Sequence, residues 1–241
     1  MILLKRFVVA IFVDIGNTNV KILGRTIRTT EFDINDFFDG DDFVISSVVP
    51  KVLEVTTGKL KKANKVFMVV DRHSNFSFEH SHVVGVGTDL LLAAEGAMTL
   101  CKPPFCVVAA GTAAVTLFVS LKHGKPFYEG GVIMPGFGMQ ADMLNQRTAQ
   151  LPKVEHIKPS SYLGTKTIDA INTGVCIGLT KGIEAVISGA EKELGIKLNK
   201  RFVTGGDGKF LKEISDMDFE YVEDLVFRGM KSVYSRKGEA K

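Results

Sequence analysis

Val13-Asp14-Ile15-Gly16-Asn17-Thr18-Asn19-Val20-Lys21 restricts the fold of this chain more than any other stretch. An apolar run over residues 7–13 ends in an acid. A Gly-Asn turn with Thr18 follows, and then a short strand over 20–24 carries Lys21. Buried strand, polar loop and return strand make a hairpin whose tip can hold phosphate. Gly16 lets backbone N–H groups approach an anion. Asn17 and Thr18 add side-chain donors, and Lys21 can place positive charge beside phosphate oxygens. Asp14, at the strand end, can hold a magnesium ion through water. Gly-Asn between strands also makes an ordinary turn. An acid, Gly, Asn, Thr and Lys in one loop exceed what a turn needs, so the segment reads as a nucleotide-phosphate loop.

The same order restarts halfway along. Residues 43–49 read as a buried strand closed by Pro50, and 65–70 as another. Residues 89–100, rich in Leu and Ala, read as a helix stopped by Lys102-Pro103-Pro104. Residues 105–110 then form a second buried strand, Gly111-Thr112 a tight loop and 113–119 a return strand. Val108-Ala109-Ala110-Gly111-Thr112 repeats Val13-Asp14-Ile15-Gly16-Asn17-Thr18 weakly. The expectation is a duplicated α/β fold divided into residues 1–103 and 104–241, with two phosphate loops facing one cleft. A helix is expected over 140–147 and a long one over 169–194. In the latter, Gly174, Gly178 and Gly182 recur every fourth residue and read as helix packing.

Composition excludes several classes. A net charge of +3 without a dense basic block argues against nucleic acid. Cys101, Cys106 and Cys176 are an odd set with no CxxC spacing, which reads as reduced thiols of a cytoplasmic protein. The apolar run at 7–13 meets Asp14 with no small-residue cleavage site, so it reads as a strand and not an export signal. No apolar stretch is expected to reach the roughly 20 residues of a membrane span. His73, His80, His82, His123 and His156 form no metal pattern, although His80 and His82 are expected on one strand face.

Further loops carry candidate chemistry. Thr204-Gly205-Gly206-Asp207-Gly208 lies between a strand and a helix. It is either a plain turn or a flat surface for a nucleobase or ribose. With the other Gly/Thr loops it makes a coherent ATP site. Gly85-Val86-Gly87-Thr88-Asp89 opens the helix that follows. Asp89 is either a helix cap or a carboxylate that accepts a hydroxyl proton during phosphoryl transfer; the two are compatible. Residues 128–136, with Gly130, Gly131 and Gly136, are either a strand with turns or a close backbone approach to an acceptor. Thr167 is either a helix cap or a hydroxyl facing substrate.

In order along nearly the whole chain, these segments resemble the type III pantothenate kinases, of the acetate and sugar kinase/Hsp70/actin superfamily. The resemblance also takes in Ser46-Ser47-Val48-Val49-Pro50 and Arg147-Thr148-Ala149-Gln150-Leu151-Pro152. It implies a duplicated ribonuclease-H-like (actin-like ATPase) fold, two domains around a nucleotide cleft, and a homodimer. It implies transfer of the ATP γ-phosphate to pantothenate, the first step toward coenzyme A, with Mg2+ and a monovalent cation (K+ or NH4+). The family's general base falls on Asp89, its first-loop magnesium and phosphate residue on Asp14, and an acceptor-side threonine on Thr167. Gly87 and Thr88 fall beside the acceptor. Gly111, Thr112, Gly205, Gly206 and Asp207 join Gly16, Asn17, Thr18 and Lys21 on the nucleotide.

Two departures bear on activity. The family pattern Gly-x-Asp-Arg ends here in Leu90, which cannot replace a charge-assisted fork. The acids of the second phosphate segment are here Ala109 and Leu117. The resemblance therefore implies a kinase impaired by these losses. The alternative is a degenerate nucleotide-binding regulatory protein without efficient turnover.

Overall fold

Burial along the first strand alternates with period two, as a sheet covered on both faces by different neighbours requires. A computed structural model describes residues 10–37, 42–155 and 157–239 of the chain. Part of the expected first strand, residues 7–9, and His156 lie outside these. Strand β1 (Ala10–Ile15) turns through Gly16–Thr18 into β2 (Asn19–Ile22) and β3 (Arg25–Arg28). A 3₁₀ turn (Ile34–Phe37) precedes β4 (Asp42–Ser47), α1 (Pro50–Lys62) and β5 (Val66–Val70). The sheet order is β3-β2-β1-β4-β5, antiparallel on the hairpin side and parallel on the other. Ile11, Val13 and Ile15 join Val20, Ile22, Phe43, Ile45 and Leu60 in one apolar core. Phe12 and Asp14 therefore point to the opposite face.

Asp14 does not end its strand, since β1 continues through Ile15. Nor does Pro50 merely close a strand. It occupies the first turn of α1, where its missing N–H costs nothing and its fixed φ suits a helix. Lys59, Lys61 and Lys62 in the last turn complement the dipole.

The second sheet repeats the first. Helix α2 (Thr88–Met98) leads to β6 (Phe105–Ala110), β7 (Ala113–Lys122) and β8 (Lys125–Pro135). Then come α3 (Phe137–Arg147), α4 (Thr167–Leu194), β9 (Lys200–Thr204), α5 (Gly208–Ile214), β10 (Glu220–Tyr221) and α6 (Leu225–Glu239). The sheet order is β10-β9-β6-β7-β8. An antiparallel β6-β7-β8 meander is flanked by β9 and β10 in parallel. Each sheet is thus a three-stranded meander extended on its first strand by two parallel strands. Cys106 and Val108 of β6 pack on Ile171, Val175, Leu179 and Ile183 of α4.

The described residues form two compact units. The first takes those within 1–76, 85–96 and 226–241, and the second those within 77–84 and 97–225. All three cysteines are free thiols. Burial pushes Cys106 up to about 12 and Cys176 up to about 11, so neither is a thiolate at neutral pH.

Three expectations change. Helix α4 is long and apolar enough, by length and composition, to cross a membrane, so the chain does hold such a stretch; half of its apolar window is buried inside the protein. The glycine row of α4 does not receive a neighbouring backbone. A Cβ at Gly174 or Gly178 would meet nothing within 4 Å, and one at Gly182 would touch only the Met134 side chain. His80 and His82 lie in the connection between β5 and α2, outside any strand. The His82 ring stacks on Phe127 at 4.3 Å instead.

Candidate functional site

In the first unit, strand register assembles a polar row. Asp14 pairs with Lys21 on β2 and with Ser46 on β4, and directly opposed residues share a face. The row is thus Lys21, Asp14, Ser46. Asp14 is the acid of this row, on the face away from the apolar core. Burial, and then the negative charge of Asp89, push Asp14 up to about 7, against the pull of Lys21. Asp89, far away in sequence, therefore lies close enough for its charge to act on Asp14.

Asp89 is held by the first turn of α2. The Gly87 carbonyl accepts from Leu90 N–H at 3.1 Å and Leu91 N–H at 3.2 Å, which starts the helix. Thr88 is the first helical residue and Asp89 the second, so Asp89 sits inside the first turn and not at the cap. A Cβ on Gly87 would collide with Asp89 Oδ1, so the carboxylate folds back over that glycine. Burial raises the Asp89 pKa, while the N–H groups of Leu90 and of Asp89 itself hold it down. Such a carboxylate is partly desolvated and fixed in direction, as a proton acceptor needs to be.

The loop ahead of Lys21 is braced from beneath. Gly16 N–H donates to Asn19 O at 2.9 Å, and Thr29 Oγ1 donates to Gly16 O at 2.8 Å. Thr29 N–H donates to Thr18 O at 3.0 Å. Asn17 and Thr18 are left exposed. Thr29 carries no sequence signal for this task, because a lone threonine beside a strand has many uses.

In the second unit, Gly111, Thr112 and Asp207 line one cavity of about 570 Å³, a size suited to a small ligand. Asp142, Gln146 and Arg147 of α3 complete its polar wall; none was singled out from the sequence as a ligand residue. Gly205 has φ +94°, and a Cβ there would collide with Ala110 O. Only glycine fits this turn. Asp207 N–H donates to the same carbonyl at 3.1 Å, which locks the 204–208 loop onto the end of β6. Gly206 stays exposed. Gly136 N–H donates to Thr112 O at 3.0 Å, so the close approach of the 130–136 segment is to the chain's own loop.

Thr167 is exposed and is the first residue of α4; Lys166 holds the cap position. The capping alternative for Thr167 therefore falls. Thr167 does not line the Gly111–Asp207 cavity. Close after it, Ala170 and Ile171 line a separate apolar groove of about 630 Å³ with Met134, Met143 and Leu144. Gly174 and Gly178 lie in this groove, which accounts for the open space over them. Among the described residues, no group of three or more His, Cys, Asp or Glu is placed to hold a metal ion.

The two repeated sheets form a duplicated ribonuclease-H-like (actin-like) fold, which solved structures share. A Campylobacter jejuni protein described as a Baf family transcriptional activator aligns with TM-score 0.66 at 25% identity, over 95% of this chain and 99% of that one. A Sinorhizobium meliloti protein described as a 2-dehydro-3-deoxygalactonokinase shares the fold at TM-score 0.58 and 14% identity, over 96% and 99% of the two chains. Residues 22–189 match the type III pantothenate kinase family. A type III pantothenate kinase from Sulfurihydrogenibium sp. is 34% identical, with 90% of this chain and 96% of the relative covered. One from Bifidobacterium longum is 31% identical, with 93% and 97% covered. The chain belongs to the type III pantothenate kinase family, a family of ATP-using enzymes.

Proposed function

We propose that this chain transfers the γ-phosphate of ATP to the hydroxyl of pantothenate, giving 4'-phosphopantothenate. The observation that carries the reading is the pair of buried acids Asp14 and Asp89, both raised by burial, with the charge of Asp89 close enough to raise Asp14 further. Family membership supplies the substrates.

In this reading Asp89 accepts the acceptor hydroxyl proton as the oxygen attacks the γ-phosphorus. Gly87 and Thr88 flank that hydroxyl, and Thr167 belongs to the acceptor side. Lys21 faces the transferring charge, while Gly16, Asn17 and Thr18 donate to phosphate oxygens. Gly111, Thr112, Gly205, Gly206 and Asp207 hold the nucleotide; the cavity shared by Gly111, Thr112 and Asp207 favours this. Asp14 fits a magnesium ion that arrives with the triphosphate. Magnesium takes one or two carboxylates plus phosphates and waters and needs no dedicated cage. Bound there, it would neutralise charge on the phosphates.

A monovalent cation fits poorly. Ala109 and the fully buried Leu117 present no side-chain oxygen, so the proposed chemistry assigns that ion no role. Leu90 removes a guanidinium next to Asp89. These losses favour a slow kinase, and the second reading, a nucleotide-binding regulator with little turnover, rests on Leu90 and Ala109. The sequence halves 1–103 and 104–241 are read as the duplicated domains. A cytoplasmic location and a homodimer are part of the proposal; the apolar groove and exposed Met139, Met143 and Ile168 support the dimer.

Purified protein with ATP, magnesium and pantothenate tests the reading, with phosphopantothenate followed by mass. Product above a no-protein blank is expected. ATP binding without product would favour the regulator.

A further inference from the structure

Helix α2 carries a second carboxylate, Glu95, that the phosphoryl transfer does not use. It is 1% exposed. A charge so deep is costly unless fully paired, and the last helix supplies two partners. Arg236 Nη1 lies 2.8 Å from Glu95 Oε1, and Ser232 Oγ donates to the same oxygen at 2.8 Å. Arg236 Nη1 also donates to Ser232 Oγ at 2.9 Å. The guanidinium fork continues outward, with Nε and Nη2 donating to Asn75 O at 3.2 and 2.7 Å. One arginine thus joins α2, α6 and the segment after β5.

The two helices also touch through their backbones. A Cβ on Gly229 would collide with Leu92 O, so only glycine permits this approach. Leu92 lies three residues beyond Asp89. The same α6 reaches the strands of the site: Tyr234 meets Phe12 edge-on at 6.0 Å, and its hydroxyl donates to Asp42 at 3.4 Å. Phe12 is on β1, two residues before Asp14 and on its face. Helix α6 is therefore in contact with the carriers of both Asp14 and Asp89.

We propose that the Arg236–Glu95 pair is a positioning device: the C-terminal helix fixes α2 so that Asp89 meets the acceptor hydroxyl. The inference rests on the reading of Asp89 as proton acceptor. Glu95 stands six residues from Asp89, about 9 Å along the helix. Movement of a rigid helix at that point is passed to its first turn. A misplacement of about 1 Å at a reacting group costs on the order of a hundredfold in rate.

The test uses the full chain. Arg236→Gln is expected to lower kcat about a hundredfold with KM for ATP unchanged, since the loss falls on transition-state geometry. Amide exchange over residues 88–94 should quicken while exchange in α4 does not. A second variant, Glu95→Leu with Arg236→Met, replaces the pair by apolar groups and removes the buried unpaired charge. It should regain wild-type thermal stability and still show low kcat. Full kcat in that folded double variant, or unchanged exchange over 88–94 in either variant, overturns the proposal. Asp89→Asn separates the two readings: transfer surviving there removes the proton-acceptor role, whereas the exchange result still decides the clamp.

Discussion

The two sheets share one strand order but place different chemistry at the same point of it. In the first, Asp14 stands between Lys21 and Ser46 across three strands. In the second, the corresponding Ala109 stands between Val115 and Thr204. The loops that follow begin alike, at Gly16 and Gly111. One unit thus holds an acid and a base in register. The other holds small residues, a tight Gly205 turn against Ala110, and a cavity. The backbone of the repeated hairpin therefore does not carry the charge of the candidate site. Charge is added by a few side chains and can be lost from one half while the fold persists.

Removing the charge from the first unit gives the largest effect. Asp89→Asn is expected to cost roughly 10²–10⁴-fold in transfer, with ATP binding retained in a calorimetric titration. Equal rates would end the assignment. Asp14→Asn is expected to abolish magnesium-dependent transfer yet stabilise the fold at pH 8. The sign follows from the raised pKa. An acid that ionises near 7 when folded and near 3.8 when unfolded binds its proton more tightly in the folded state. Its contribution to stability is therefore lost as pH rises from about 4 through 7. The variant escapes that loss, by up to about 4 kcal/mol at pH 8, and the gap closes below pH 4. Thermal melts across pH read it directly, and equal melts at pH 8 would contradict it.

The comparison sharpens when charge is put back. Leu90→Arg with Ala109→Asp is expected to raise pantothenate phosphorylation roughly tenfold, the scale of one charge-assisted hydrogen bond. The rate should then respond to exchange of potassium for sodium. An unchanged rate would place the impairment elsewhere.

Much of the fold was legible because its signals are local. Apolar strand runs, the Gly-Asn and Gly-Thr loops and the repeat of Val13–Thr18 at Val108–Thr112 are all visible in single segments. Helix α1 was not, because Pro50 reads equally well as the end of a strand and as the first turn of a helix. The site was legible as residue types but not as an assembly. Asp14 and Asp89 were named separately, whereas the effect of the Asp89 charge on Asp14 depends on a non-local approach. Thr29 beneath the first loop, and Asp142, Gln146 and Arg147 around the second, are ordinary residues made relevant only by neighbours distant in sequence. The glycine row of α4 misled because a period of four describes helix packing and a groove floor equally well.

Carbon-13 titration of the Asp14 carboxyl, in the chain as it stands and in Asp89→Asn, tests the coupling of the two acids most directly. The structure predicts a midpoint of about 7 in the first. It predicts a lower midpoint, still above 3.8, in the second, where burial remains and the neighbouring charge is gone. Equal midpoints in the two proteins would mean that the Asp89 charge does not reach Asp14.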